Sequence, residues 1–193
     1  MKTLERLDSF RKYCAYVQEH IENVNTAWSI LKERCGDMRF IYDDYVFFNI
    51  AEMIEGHDAS KLSAAEFVPY ADWFFSDFGK EWESMDVKNY GAHKVATKAF
   101  DEAWEHHWTE NPHHWQNWAT RTFYNPYEAE MHCVCMVCDW MAMGMKFGDT
   151  AEEYYKANKD KMTLPSWADQ FLQEIFRALS HKPTSDVINK GSE

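Results

Sequence analysis

Four histidines fall within nine residues of this chain, His106, His107, His113 and His114, inside the run Trp104-Glu105-His106-His107-Trp108-Thr109-Glu110-Asn111-Pro112-His113-His114-Trp115. Well ahead of them stand His20 and the adjacent pair His57-Asp58, and after them comes Asp139, flanked by Cys138 and Trp140 in the most apolar stretch of the sequence. An ionised carboxylate in such a stretch is costly without a partner. It is either paired with a histidine, a tryptophan N–H or an arginine, or it ligates a metal. Imidazole nitrogen combined with carboxylate oxygen suits Zn²⁺, Fe, Mn²⁺ or Co²⁺, and an ion so held makes hydroxide available near neutral pH. Taken alone, His20 reads as a core histidine, because it shares a helix side with Val17 and Val24. An isolated His-Asp pair is common by chance. The four clustered histidines could also be an aromatic, hydrogen-bonding belt.

The order is more specific than its parts. His20, then His57-Asp58, then a histidine-rich segment, then Asp139 resembles the ligand order of the HD metal-hydrolase superfamily. His57-Asp58-Ala59-Ser60-Lys61 is similar to the HDxxK signature of its HD-GYP phosphodiesterases and HD-type di-iron oxygenases. This resemblance implies one or two divalent transition-metal ions (Fe, Mn, Zn or Co) held by His20, His57, Asp58, His107, His114 and Asp139. His107 is preferred to His106 because it lies near the side of Val95, Phe100, Ala103 and Trp104, yet the choice within each histidine pair stays open. The two halves of the cluster are closer together than in HD-GYP or di-iron oxygenase members. Asp58 and Lys61 become the implied catalytic residues, Lys61 stabilising anionic substrate oxygens; the alternative for Lys61 is a solvated surface lysine. The implied activity is a metal-dependent phosphohydrolase or phosphodiesterase acting on a nucleotide or other small phosphate ester. Two other readings are a di-iron oxygenase with the same ligand pattern, and a non-enzymatic binding or inhibitory protein, phage-borne, whose histidines hold a structural metal. Over about residues 15–180 the chain also resembles a family of small uncharacterised bacterial and phage proteins, through His20-Ile21-Glu22-Asn23-Val24, His57 to Lys61, Ala103 to Trp115, Asp139-Trp140 and Asn158-Lys159. That likeness implies no activity.

The elements that must position these residues read as helices. Phe10, Cys14, Val17, Ile21, Val24, Trp28 and Leu31 recur at helical spacing and predict one long helix over 7–35, ended by Gly36. A second helix is expected over 42–54. Ser63-Ala64-Ala65-Glu66 has the form of a capping box opening a helix over 64–75. The segment 78–90 is mixed and left open, and 92–109 is helical again. Asn111-Pro112 is expected to start a further helix, which places His113 and His114 in its first turn, where the dipole favours neutral, metal-binding imidazole. Asn125-Pro126 opens an apolar helix over 127–147, stopped at Gly148. Thr150 to Glu153 forms another capping box, and Ser166 caps a helix over 167–179. The expectation is an all-α, single HD-like domain, 1–181, of about seven helices around a central metal site, with a flexible polar tail, 182–193.

The composition agrees. The chain has 193 residues, enough for one core-forming domain, and only seven glycines and five prolines, which favours long helices over tight turns. A formal net charge of −12 argues against an extended grip on nucleic acid, though a small anionic substrate remains compatible because a bound metal reverses the local sign. No apolar run is long enough to span a bilayer and the charged N-terminus lacks a signal-peptide stretch, so a cytoplasmic protein without membrane contact is expected. Five cysteines, three of them crowded at 133, 135 and 138, read as small buried residues rather than a disulfide framework. Met136, Met141, Met143 and Met145 read as core. The sequence has no phosphate-cradling glycine loop and no G-x-S-x-G motif. Its many aromatics are mostly core, with any exposed ones able to support a homodimer.

Overall fold

The computed structural model describes residues 3–76, 90–123 and 125–181, with side chains described from 97 onward in the helix that opens at Tyr90. The open segment before Tyr90 and the tail 182–193 lie outside the described residues. Among those described, the chain is a single all-helical unit without strands. The helices are α1 (Thr3–Arg34), α2 (Arg39–Tyr42), α3 (Asp44–Glu55), α4 (Phe67–Phe75), α5 (Tyr90–Glu110), α6 (Trp115–Trp118), α7 (Pro126–Phe147), α8 (Ala151–Asn158) and α9 (Ser166–Ser180), with short 3₁₀ turns at Ala59–Leu62 and Lys159–Lys161.

Helix α1 spans about 48 Å at the standard rise. Its buried stripe is Ser9, Tyr13, Val17, His20, Val24, Ala27, Trp28 and Leu31. That stripe is rotated from the expected one at its N-terminal end: Cys14 is exposed, and Ser9 donates to the Ala71 carbonyl at 2.6 Å instead. Two hydrophobic clusters divide along α1. A small one joins Tyr13 and Val17 to Tyr70 and Ala71 of α4 and Ala103 of α5. The larger joins the C-terminal half of α1 to α2, α3, α7, α8 and α9. Helix α7 is buried on all sides from Ala129 to Trp140, as expected of a helix apolar all round. His20 and Asp139 sit at the level where the two clusters meet.

Several ends follow the expected chemistry. The Asn125 side chain accepts from Tyr127 N–H at 2.9 Å with Pro126 in the first turn, Gly148 closes α7 at φ 92°, and Thr150 with Glu153 forms a complete capping box. Others do not. The helix expected over 42–54 is broken at Asp43, which caps α3 by accepting from Val46 N–H at 3.2 Å. Ser166 is the first helical residue and makes no side-chain cap. Ser63 and Glu66 form no capping box: α4 begins at Phe67, and its entry turn is held by the Ser63 backbone carbonyl. Asn111-Pro112 opens no helix. It closes α5, and α6 begins only at Trp115.

Candidate metal centre

Helix α3 stops at Glu55 and the chain turns sharply. Asp58 sits in the left-handed region at φ 57°, ψ 23°, the one non-glycine residue with positive φ among those described. Aspartate tolerates this region better than most L-residues, at some energetic cost. The turn is locked by His57 N–H to the Ile54 carbonyl (3.2 Å) and Lys61 N–H to the Asp58 carbonyl (2.9 Å). It drives His57, Asp58 and Lys61 inward, and all three are buried.

The loop after α5 is equally constrained. The last carbonyls of a helix need donors. Here Asn111 Nδ2 donates to the His107 carbonyl (2.7 Å), while Asn117 Nδ2 donates to those of Trp108 (3.0 Å) and Thr109 (2.9 Å). Trp118 Nε1–H closes the turn on the Pro112 carbonyl at 2.7 Å. His113 and His114 are therefore presented by a rigid turn rather than a helix, and the turn lets both rings face inward.

These pieces converge with α1 and α7. His20 Nε2 lies 3.1 Å from Asp58 Oδ2 and 3.2 Å from Asp139 Oδ1; His57 Nε2 lies 3.7 Å and 3.6 Å from the same two atoms. On the other side of Asp58, Oδ1 is 3.2 Å from His113 Nε2 and 3.4 Å from His107 Nε2. His113 stacks on His57 with ring centres 4.2 Å apart, and His107 Nε2 is 2.8 Å from His114 Nε2. One ligand atom from each of His20, His57, Asp58 and Asp139 falls within 4.8 Å of the others, and the same holds for Asp58, His107 and His114, and for His113, His114 and Asp139.

Closeness here is not hydrogen bonding. His20 Nε2, both His57 nitrogens, both Asp58 oxygens and His113 Nε2 are buried without a well-oriented hydrogen-bond partner. Each such orphan costs about 1–3 kcal/mol. Several orphaned acceptor-type atoms facing one small space fit a divalent cation, which satisfies lone pairs that the side chains cannot satisfy for each other. The donor set, imidazoles with two carboxylates, is that of a transition-metal site.

Burial alone would raise the carboxyl groups of Asp58 and Asp139. It is outweighed for Asp58 by Lys61, His57 and His107, and for Asp139 by the His20 and His57 rings close beside it, so both stay well below the usual range. Burial opposes charge on His20, but the Asp139 and Asp58 carboxylates prevail and raise it to about 9. Burial, reinforced by neighbouring histidines, lowers His113 to about 4 and His114 well below its ordinary value. The neutrality expected of these two rings from a helix dipole thus arises from desolvation instead.

Around this centre stands Glu66, fully buried. Its Oε2 is 2.8 Å from His107 Nδ1 and its Oε1 is 2.7 Å from His106 Nδ1. A carboxylate only accepts, so His107 Nδ1 donates to it, and the Lys61 ammonium, which only donates, meets the Nε2 lone pair. His106 is partly exposed and approaches the centre only through Glu66. Lys61 is buried, with Nζ 2.8 Å from Asp58 Oδ2 and 3.2 Å from His107 Nε2; it is not a surface lysine. On the outer side Tyr16 stacks on His20 (6.5 Å) and, with Phe74, Phe75 and Met143, lines a cavity of about 540 Å³.

A family model described only as a family of unknown function, DUF5662, matches residues 9–186. The chain belongs to that family. Searches of curated proteins and of solved structures find no match. The structure brings together His20, His57, Asp58, Lys61, His107, His114 and Asp139, all singled out in the sequence, from five separate parts of the DUF5662 chain. The choice between His113 and His114, left open in the sequence, resolves to both, since each ring reaches the centre. One residue was missed. Glu66 was read as a cap, and no local signal marks its long-range pairing with His106 and His107.

Proposed function

We propose that this protein is a metal-dependent phosphohydrolase acting on a nucleotide or another small phosphate ester. The observation that carries the reading is the set of orphaned, buried ligand atoms of His20, His57, Asp58 and His113 beside Asp139. His20, His57, Asp58 and Asp139 would hold a divalent ion, with His107, His113 and His114 on its other side. Such an ion supplies Lewis-acid polarisation of a phosphoryl oxygen and an activated water. The chain supplies the rest. Lys61, buried and anchored on Asp58, places an ammonium where charge develops on the phosphate, and a fixed charge acts most strongly away from water. His113, kept neutral by burial, would offer its Nε2 lone pair to the same centre.

The test is elemental analysis of the purified protein beside the His57→Ala/Asp58→Ala double variant, followed by phosphate-ester assays with Mn²⁺, Co²⁺, Zn²⁺ and Fe²⁺. The expected outcome is bound transition metal and phosphate release in the parent, both lost in the variant. Iron with oxygen uptake and no phosphate release would replace this reading with the oxygenase. A fully ligated metal with neither activity would leave a structural site.

A further inference from the structure

The two ligand groups around Asp58 are not equivalent. In the group of His20, His57, Asp58 and Asp139, the ligand atoms of the two histidines have no properly oriented partner, and Asp58 meets the Lys61 ammonium as an ion pair. In the group of Asp58, His107 and His114, the imidazole atoms are already engaged. His107 donates its Nδ1–H to Glu66 at 2.8 Å, and the ammonium of Lys61, which only donates, faces Nε2 as the acceptor. Lys61 Nζ stands 3.2 Å from that Nε2 and 2.8 Å from Asp58 Oδ2. The lone pair a metal would need on His107 faces an ammonium.

We infer that the Lys61 ammonium takes the place of a second metal ion, so that the centre binds a single divalent ion at His20, His57, Asp58 and Asp139. This rests on the metal reading above and adds the number of ions and the identity of the second cation. Charge supports it. Two carboxylates, Asp58 and Asp139, balance one dication, and Glu66 is committed to His106 and His107. A second dication beside His107 would share Asp58, gain only neutral imidazoles, and sit against a buried like charge on Lys61, where little water screens the repulsion. The arrangement also gives Lys61 its chemistry. It is a fixed point charge held between Asp58 and His107, able to hold a substrate oxygen without a second metal.

The experiment is metal counting on the full chain. The parent, Lys61→Met, Lys61→Arg and His107→Gln are loaded with Mn²⁺, desalted, and read by elemental analysis and electron paramagnetic resonance. Expected are about one equivalent with an isolated Mn²⁺ spectrum for the parent, for Lys61→Arg and for His107→Gln, and about two equivalents with an exchange-coupled signal for Lys61→Met. Two equivalents in the parent, or one in a folded Lys61→Met, overturns the inference. If Lys61→Met does not fold, His107→Gln decides, because loss of the ion there makes His107 a ligand and overturns it too. No metal in any form removes the metal reading and this inference together, whereas one bound ion without phosphate release removes only the hydrolase.

Discussion

His20 shows how much one side chain can report. Its imidazole is held between Asp58 and Asp139 and raised from an ordinary 6.5 to about 9. A group raised on folding stabilises the fold fully below its unfolded value and loses that contribution as pH rises through its folded value. The metal-free protein is therefore expected to lose stability between about pH 6.5 and 9, on the order of 3 kcal/mol from this group. Urea midpoints of chelator-treated protein measured across that window check it, and in His20→Gln the slope should flatten. An unchanged slope in that variant would assign the pH dependence elsewhere. Glu66 makes a second residue-scale prediction. Glu66→Ala removes the carboxylate that accepts from His107 Nδ1, leaving only the longer contact to the Ser60 hydroxyl at 3.3 Å, and should cost about 1–3 kcal/mol, while Glu66→Gln, which keeps one acceptor oxygen, should cost less. Equal losses in thermal melts would mean that packing, not hydrogen bonding, is what Glu66 provides.

At the scale of elements, what was legible in the sequence was what local rules control. Hydrophobic spacing gave α1 and α7, and the caps at Asn125, Gly148 and Thr150 hold because each satisfies its own helix end within a few residues. The order of His20, His57-Asp58, His107 and Asp139 was readable because an unusual concentration of ligand types needs no geometry to be noticed. The misses share one cause. Ser63-x-x-Glu66 and Asn111-Pro112 both match helix-start patterns, but tertiary partners claimed Glu66 and Asn111 for other work. Asn111 and Asn117 instead tie off the end of α5, which is what aims His113 and His114. Asn117→Ala is accordingly expected to destabilise by about 1–3 kcal/mol and to weaken metal retention, readable together in melts and metal content. Destabilisation with metal retention intact would detach this loop from the site. Gly144 gives a contrasting case, since a Cβ there would collide with the Asp149 backbone carbonyl where α7 turns into α8. Gly144→Ala should cost about 1–3 kcal/mol by overpacking and leave metal content unchanged.

Across the whole molecule, the candidate centre draws on both hydrophobic clusters: His107 comes from α5, on the side of the smaller one, and Asp139 from α7, inside the larger. A ligand that binds only the folded state adds stability by mass action, about 4 kcal/mol at a thousand times its dissociation constant. Chelation should therefore lower the melting temperature, and hydrogen exchange should rise most in α4 and α5, whose cluster is the smaller. Uniform exchange across all helices would show that the two clusters do not open separately. Helix α1 runs through both, with His20 at the crossing point. A bound ion there would act as a rivet through the midpoint of a long beam, and removing it would free one end of the beam before the other. The end so freed packs Tyr13 against Tyr70 and Phe75 of α4, apolar surface of the kind that proteases and quality-control chaperones engage. The supply of a trace metal would then govern how long each copy of the chain survives, and not only what it does while intact.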